Sequence, residues 1–203
     1  MAKYPSLYLK TLEVYGLINL EEGVAIYEAA LKVKHKSPNI VEVGAYKGLS
    51  TIFLAEAASR VKKKVKTFEW FSGLTDIDPV LDADFGASKL PCSQEGWESN
   101  VRQNTRRENV ELIVGDARIM MPAALHKDGF AMAFLDVDTY KTTLELLYHL
   151  RDLATGGEVI FIHNADSAGI QKAVSEFKKG SFQNITVQYI LDNKIARLDI
   201  GII

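Results

Sequence analysis

Four polar side chains of types that can handle a proton or bind a metal follow two apolar runs of the sequence. Asp136 and Asp138 come directly after one run, and His163 and Asn164 come directly after the next one along the chain. Carboxylates and an imidazole can accept a proton from a substrate, and with an amide oxygen they can also hold a divalent cation. The pattern indicates a reactive centre where two strands end.

A glycine-containing turn indicates a second kind of contact, in which the backbone approaches a ligand. Glycine allows that approach, and the N-terminus of a following helix offers free N–H donors. The spacing Gly-x-x-x-Gly differs from the Gly-x-Gly-x-x-Gly that cradles a dinucleotide pyrophosphate, which disfavours a nicotinamide-dependent oxidoreductase. The candidate contacts lie in Glu42-Val-Gly44-Ala-Tyr-Lys-Gly48-Leu-Ser50 and are Glu42, Gly44, Ala45, Tyr46, Gly48 and Ser50.

Two acidic residues could bind the polar groups of a nucleoside. Glu69 ends the second apolar run, where a carboxylate can accept both hydroxyl hydrogens of a ribose. Asp116 follows the third run and could accept from an exocyclic amine such as that of adenine, or could instead serve as a helix N-cap. Trp70, Gly115 and Ala117 flank these acids and complete the candidate set. Adenosine with a short charged tail would fit this set together with the glycine turn.

Taken in order, these stretches resemble the motifs of class I S-adenosylmethionine-dependent methyltransferases over about residues 40 to 177. Within that superfamily the chain most resembles the macrocin O-methyltransferase (TylF-like) group, which methylates sugar hydroxyls in natural products. Its glycine turn is also similar to that of the catechol O-methyltransferases. The resemblance implies an S-adenosyl-L-methionine cofactor and methylation of a small-molecule hydroxyl, on a sugar or natural product. The stretches that carry the TylF-like resemblance are Phe71-Ser-Gly-Leu74, Val101-Arg-Gln-Asn104, Asp136-Val-Asp-Thr-Tyr140 and Ala173-Val-Ser-Glu-Phe177.

The resemblance also implies a divalent metal, because both groups use one, usually magnesium, at the ends of the fourth and fifth strands. Asp136 matches their first metal carboxylate, and Asp138 matches the residue proposed as general base in the sugar enzymes. His163 and Asn164 stand where those groups carry two aspartates, or an aspartate followed by an asparagine. Magnesium tolerates imidazole poorly, whereas manganese, iron, nickel or zinc accept it more readily. The implied ligands are thus Asp136, His163 and Asn164, with Mg or Mn as the ion.

Alternatives to metal-assisted catalysis also follow from His163. An imidazole, with an unperturbed pKa of about 6.5, could itself take the substrate proton, oriented by Asp136 or Asp138. His163 could instead be a polar strand-end residue in a homologue that binds the cofactor without catalysis. A catechol-type O-methyltransferase is a further alternative.

A doubly wound, Rossmann-like α/β fold is predicted to position these residues. Apolar runs alternate with helix-like stretches, which predicts a parallel sheet covered on both faces. The last two runs are joined by Asp192-Asn193, a hairpin signal, so the last of seven strands should be antiparallel. The predicted strands are 39–44, 64–69, 110–114, 130–135, 158–162, 185–191 and 194–202.

Helical periodicity predicts N-terminal helices that precede the sheet. Apolar residues recur at helical spacing from Leu7 to about Val33, with a break near residues 17–20. The segment 70–96 is the long irregular stretch, and loops of that length are commonly lids or binding loops. We expect the methyl acceptor beneath this loop and near the N-terminal helices. Further predicted helices cover 50–58, 97–107 and 142–153.

The composition fits one globular domain, with an N-terminal helical cap over 1–37 and a Rossmann-like core over 38–203. The 203 residues are 47% hydrophobic and 25% charged, enough for one sizeable core. A net charge of -2 with dispersed Lys and Arg disfavours nucleic acid as a partner. The single Cys92 and the lack of a leader-like or membrane-spanning apolar run favour a soluble, cytoplasmic protein. A homodimer through the N-terminal helices is compatible with the sequence.

Overall fold

A mixed sheet organises the computed structural model, which describes residues 11, 14–85, 92–105, 107–180 and 184–201. Within these ranges seven strands form one sheet in the order β3-β2-β1-β4-β5-β7-β6. Strands β1 to β5 pair in parallel, and β7 runs antiparallel between β5 and β6. The predicted doubly wound, Rossmann-like sheet with an antiparallel last strand is confirmed. The strands are β1 (Asn39–Val43), β2 (Lys64–Glu69), β3 (Val110–Val114), β4 (Met132–Leu135), β5 (Val159–His163), β6 (Ile185–Ile190) and β7 (Ile195–Ile200).

Six α-helices of the described ranges accompany the sheet and cover both of its faces. The central strands are buried on each side, which is why they appear in the sequence as continuous apolar runs. In β1, Ile40 packs with α1 and α2 on one face, whereas Val41 packs with α4, α5 and α6 on the other. None of these helices is long and apolar enough to cross a membrane. They are α1 (Leu20–Lys32), α2 (Leu49–Arg60), α3 (Gln94–Asn104), α4 (Ala117–Leu125), α5 (Tyr140–Leu153) and α6 (Ala168–Gly180).

Capping residues set where several helices begin. The α1 helix begins after Asn19, whose side chain accepts from the Glu22 N–H while the Glu22 carboxylate accepts from the Asn19 N–H. The α3 helix begins three residues before the predicted start at residue 97, because the Ser93 hydroxyl accepts from the Gly96 N–H. The predicted N-terminal helix before residue 17 falls mostly outside the described residues.

The N-terminal helix α1 shares a core with the sheet. Ile26, Tyr27 and Ala30 of α1 are buried with Phe53 and Leu54 of α2. Burial of such side chains stabilises a fold by about 1.5–3 kcal/mol each, so α1 is held firmly on the sheet. The division into a cap and a core at residue 37 stays a prediction.

Candidate active site

An open cleft lies beyond the carboxyl ends of the parallel strands. Ligands bind at this edge in open parallel sheets. All of the predicted site residues line the cleft except Glu42, Gly48 and His163. Residues 16–18, before α1, and 73–75, in the long loop, also line it. The acceptor region predicted between the N-terminal segment and this loop is therefore part of the same cleft.

The glycine turn after β1 lies directly against the backbone of Asp136. Gly44 and Gly48 both have positive φ, at 83° and 89°, where glycine is favoured. A Cβ on Gly44 would stand 2.0 Å from the Asp136 carbonyl oxygen, and one on Gly48 would stand 2.7 Å from a methyl group of Val101. Gly44 therefore lets the end of β1 lie close to the end of β4, and Gly48 lets the start of α2 lie close to α3.

The Glu69 carboxylate holds the glycine turn from the end of β2. One of its oxygens accepts from the N–H groups of Ala45 and Tyr46 at 2.6 and 2.8 Å. The other accepts from those of Trp70 and Phe71 at 2.8 and 3.0 Å. A carboxylate has about four acceptor sites, so ribose hydroxyls would have to replace some of these bonds. The role of Glu69 as a ribose ligand stays a prediction.

Glu42 lies beneath the turn, in the interior. Its side chain is fully buried, and one carboxylate oxygen accepts from the hydroxyls of Thr51 and Thr67 at 2.7 and 2.8 Å. Its other oxygen has no hydrogen-bond partner within the described part of the chain. Burial raises the pKa of Glu42 to about 7, because the charged form loses its hydration. The structure thus places Glu42 as a support for the turn, away from the cleft.

Asp116 caps helix α4, which is one of the two roles that the sequence left open, and it also lines the cleft. Its role as a ligand for an exocyclic amine stays a prediction. Its carboxylate accepts from the Arg118 backbone N–H at 2.9 Å and pairs with the Arg118 guanidinium at 2.6 to 3.1 Å. The guanidinium also contacts Asp76 and Glu145. These bonds to Arg118 lower the pKa of Asp116 and keep it ionised, as an acceptor for an amine would need to be.

His163 is held between two carboxylates at the back of the cleft. Its Nδ1 lies 2.8 Å from Asp136 Oδ1, and its Nε2 lies 3.4 Å from Glu22 Oε2. The side chain is only 4% exposed. Burial alone would lower the pKa of His163, but the charges and hydrogen bonds of Asp136 and Glu22 raise it to about 10. The two carboxylates therefore favour the protonated form of the ring.

Glu22 was missed by the sequence reasoning, although it completes this group. Burial would raise the pKa of Glu22, but hydrogen bonds from His163 and the Asn19 N–H hold it below its ordinary value. The sequence shows Asn19 and Glu22 at capping-box spacing, which is a local signal for a helix start. The contact of Glu22 with His163 depends on how α1 packs on the sheet, and no local sequence pattern reveals that packing.

Asp138 and Asn164 form a second pair beside the first. The Asn164 side-chain amide donates to Asp138 Oδ1 at 2.8 Å. Both residues have positive φ, at 61° and 52°, a backbone conformation that costs roughly 1–3 kcal/mol and clusters at functional sites. Burial and the nearby Asp136 charge raise the pKa of Asp138 to about 7. A carboxyl group that titrates near neutral pH suits general base catalysis.

Three of these side chains have a spacing that a metal ion could use. Asp136, Asp138 and His163 each offer one ligand atom, and these atoms lie within 4.8 Å of one another. Magnesium, however, prefers oxygen ligands, and both nitrogens of His163 already face carboxylate oxygens. As arranged, the donors do not fit magnesium.

The sequence that forms this site also shows which protein family the chain belongs to. A family profile described as a methyltransferase domain matches residues 41–165. The chain belongs to this family. The match extends from β1 to the residues just after β5, and so includes the glycine turn and the strand ends that carry Asp136 and His163. The protein is therefore a methyltransferase, as the sequence predicted.

Solved methyltransferase structures share this fold at low sequence identity. The O-methyltransferase NovP is 19% identical with a TM-score of 0.74, over 92% of this chain and 82% of that chain. TomG from Streptomyces achromogenes is an O-methyltransferase of tomaymycin synthesis, and its structure is in complex with SAM. It is 18% identical with a TM-score of 0.64, over 97% of this chain and 95% of that chain. CalS11, a TDP-rhamnose 3'-O-methyltransferase of calicheamicin biosynthesis, is 17% identical with a TM-score of 0.58, over 95% and 91%. A search of curated protein sequences finds no match.

Proposed function

We propose that this methyltransferase transfers the methyl group of S-adenosylmethionine to a hydroxyl of a small molecule, on a sugar or natural product. The observation that carries the proposal is a single cleft whose lining joins the glycine turn to Asp136 and Asp138. The glycine turn, Glu69 and Asp116 suit a nucleoside. Asp136 and Asp138 suit a hydroxyl that must lose its proton. NovP and TomG, which share the fold, are O-methyltransferases, and TomG is in complex with SAM.

The cofactor half of the cleft offers backbone, acidic and aromatic groups. The positive-φ glycines let a ligand approach the start of α2, where N–H groups point out of the helix. Trp70 is 45% exposed at the mouth of the cleft and presents an aromatic surface there. We assign to the cofactor Gly44, Ala45, Tyr46, Gly48, Ser50, Glu69, Trp70, Gly115, Asp116, Ala117 and Asp136, with Glu42 as support from below.

The acceptor half must orient a hydroxyl and remove its proton. The acceptor oxygen forms a bond to the methyl carbon while the carbon–sulfur bond breaks, and that bond's electron pair remains on sulfur. The hydroxyl proton passes to Asp138, whose pKa near 7 allows it to accept a proton at neutral pH. Alignment of the two reactants supplies much of the rate enhancement in such a reaction.

A sugar hydroxyl is the acceptor that the TylF-like stretches of the chain and one structural relative favour over a catechol. The stretch from Phe71 to Leu74, part of the TylF-like resemblance, lines the cleft where the acceptor is expected. CalS11, which shares the fold, is a TDP-rhamnose 3'-O-methyltransferase. These observations support placement in the sugar-methylating group.

Calorimetry and turnover test this proposal separately. We expect S-adenosylhomocysteine to bind and NAD to give no heat. S-Adenosylhomocysteine release is then followed with a panel of acceptors that includes TDP-rhamnose and a catechol. Asp138→Asn should abolish release while it retains affinity for S-adenosylhomocysteine, because Asp138 serves the acceptor and not the cofactor.

Asp128→Asn is the matched control, since Asp128 is exposed and lies before β4, at the opposite end of that strand from Asp136. This variant should turn over like the wild type. Binding of NAD in place of S-adenosylhomocysteine would contradict the proposal, as would full activity in Asp138→Asn.

A further inference from the structure

Both nitrogens of the His163 ring face carboxylate oxygens of the protein. An ionised carboxylate accepts hydrogen bonds and has no hydrogen to give, so a nitrogen that hydrogen-bonds to one must carry a proton. Nδ1 of His163 faces Asp136, and Nε2 faces Glu22. Nδ1 therefore donates a hydrogen bond to Asp136 at 2.8 Å, and an imidazolium is the form of the ring that also suits Nε2, which lies 3.4 Å from Glu22.

The neighbouring side chains of Asp138 and Asn164 also have hydrogen-bond partners within the protein. The amide nitrogen of Asn164 is directed at Asp138, so a hydrogen-bond donor already occupies one oxygen of that carboxylate. Asp136 has a cationic partner at 2.8 Å, and this partner belongs to the protein. The positive charge that a divalent ion would bring to Asp136 is thus supplied by a side chain.

We propose that His163, held between Asp136 and Glu22, replaces the divalent metal as the cation of this site, so that the enzyme binds no metal there and needs none. The inference rests on the proposed function. His163 is a positioning residue, because it stands behind Asp136 and outside the lining of the cleft. It fixes Asp136 in the cleft, and Glu22 in turn fixes the ring. The acceptor is then oriented by carboxylates, and its proton passes to Asp138.

Titration with Mn²⁺ tests the inference without an acceptor substrate. Free Mn²⁺ gives an electron paramagnetic resonance signal that is lost when the ion binds. We expect EDTA-treated wild-type protein to leave this signal unchanged. His163→Asp, which exchanges the cation for a third carboxylate beside Asp136 and Asp138, should bind Mn²⁺ and reduce the signal. The matched control is His126→Asp, since His126 is exposed outside the cleft, and it should leave the signal unchanged.

A spectroscopic measurement on the wild type adds a readout that does not depend on any variant folding. Nitrogen-15 NMR of the histidine rings at neutral pH should show both nitrogens of His163 protonated. His163→Gln identifies the resonance by its disappearance. A merely structural histidine with one protonated nitrogen would give the neutral pattern.

The outcomes separate this inference from the proposed function. Unchanged Mn²⁺ signal with an imidazolium at His163 supports the inference. Uptake of Mn²⁺ by the wild type that Asp136→Asn abolishes would overturn it, and so would a neutral ring at His163. Calorimetric titration with S-adenosylhomocysteine is run on the same sample. Failure of that titration would count against the proposed function and not against the charge of His163.

Discussion

Replacement of Glu42 by glutamine should change how the stability of the protein depends on pH. Glu42 is fully buried, and its pKa is raised from 4.5 to about 7. Between these values the folded protein holds a proton on Glu42 that the unfolded chain releases, so wild-type stability falls as pH rises through this window. At about 1.36 kcal/mol per pH unit, the loss between pH 5 and pH 8 is about 2–3 kcal/mol.

Glutamine has the shape of the protonated side chain and does not ionise. The free energy of unfolding of Glu42→Gln should therefore gain about 2–3 kcal/mol relative to wild type between pH 5 and pH 8. Urea unfolding followed by tryptophan fluorescence at both pH values measures this difference. Other titrating groups are common to the two proteins and cancel in the comparison.

Glu108→Gln is the control, because Glu108 is exposed. The difference in unfolding free energy between Glu108→Gln and the wild type should be the same at both pH values. If the unfolding free energy of Glu42→Gln also differed from that of the wild type by the same amount at both pH values, the raised pKa of Glu42 would be refuted. Loss of S-adenosylhomocysteine binding by folded Glu42→Gln would instead contradict its placement beneath the turn, since a supporting side chain of equal shape should preserve the cleft.

Two further substitutions test the elements that shape the cleft. Gly44→Ala should weaken S-adenosylhomocysteine binding, measured by calorimetry, and destabilise the fold by more than about 1 kcal/mol. The reason is that the new Cβ would meet the Asp136 carbonyl oxygen and that residue 44 has a positive φ. Unchanged affinity and stability would contradict the close approach of the turn to Asp136. Asp82→Ala should cost about 1 kcal/mol in urea unfolding and loosen the loop over the cleft, because buried Asp82 accepts from the Tyr140 N–H at 2.9 Å and so caps α5. An unaltered rate of proteolysis in that loop would argue against the second expectation.

The fold was largely predictable because its signals are local. The three central strands β1, β4 and β5 are buried on both faces and appear as apolar runs, and the glycine turn after β1 is visible in the sequence. The hairpin between β6 and β7 was signalled by Asp192 and Asn193, which adopt positive φ at 51° and 67°. Helix limits were less certain because they depend on caps. Asp82, for example, caps α5 from a loop far away in the sequence, so the predicted start of this helix at residue 142 was two residues late.

The candidate site was predictable in its location and less so in its contacts. Strand ends of a parallel sheet meet at one edge, so Asp136 and His163 could be expected to lie together. The sequence could not show that Glu22 reaches His163, because that contact requires α1 to pack across the sheet. Nor could it show that Glu69 bonds to the backbone of the glycine turn. The homodimer and the cytoplasmic location stay predictions.

A crystal structure of the protein soaked with S-adenosylhomocysteine and Mn²⁺ tests the central claim most directly. The account predicts the nucleoside in the cleft, between the glycine turn and Asp136, with no anomalous manganese signal beside His163. An empty cleft, with the nucleoside absent or bound elsewhere, would contradict it.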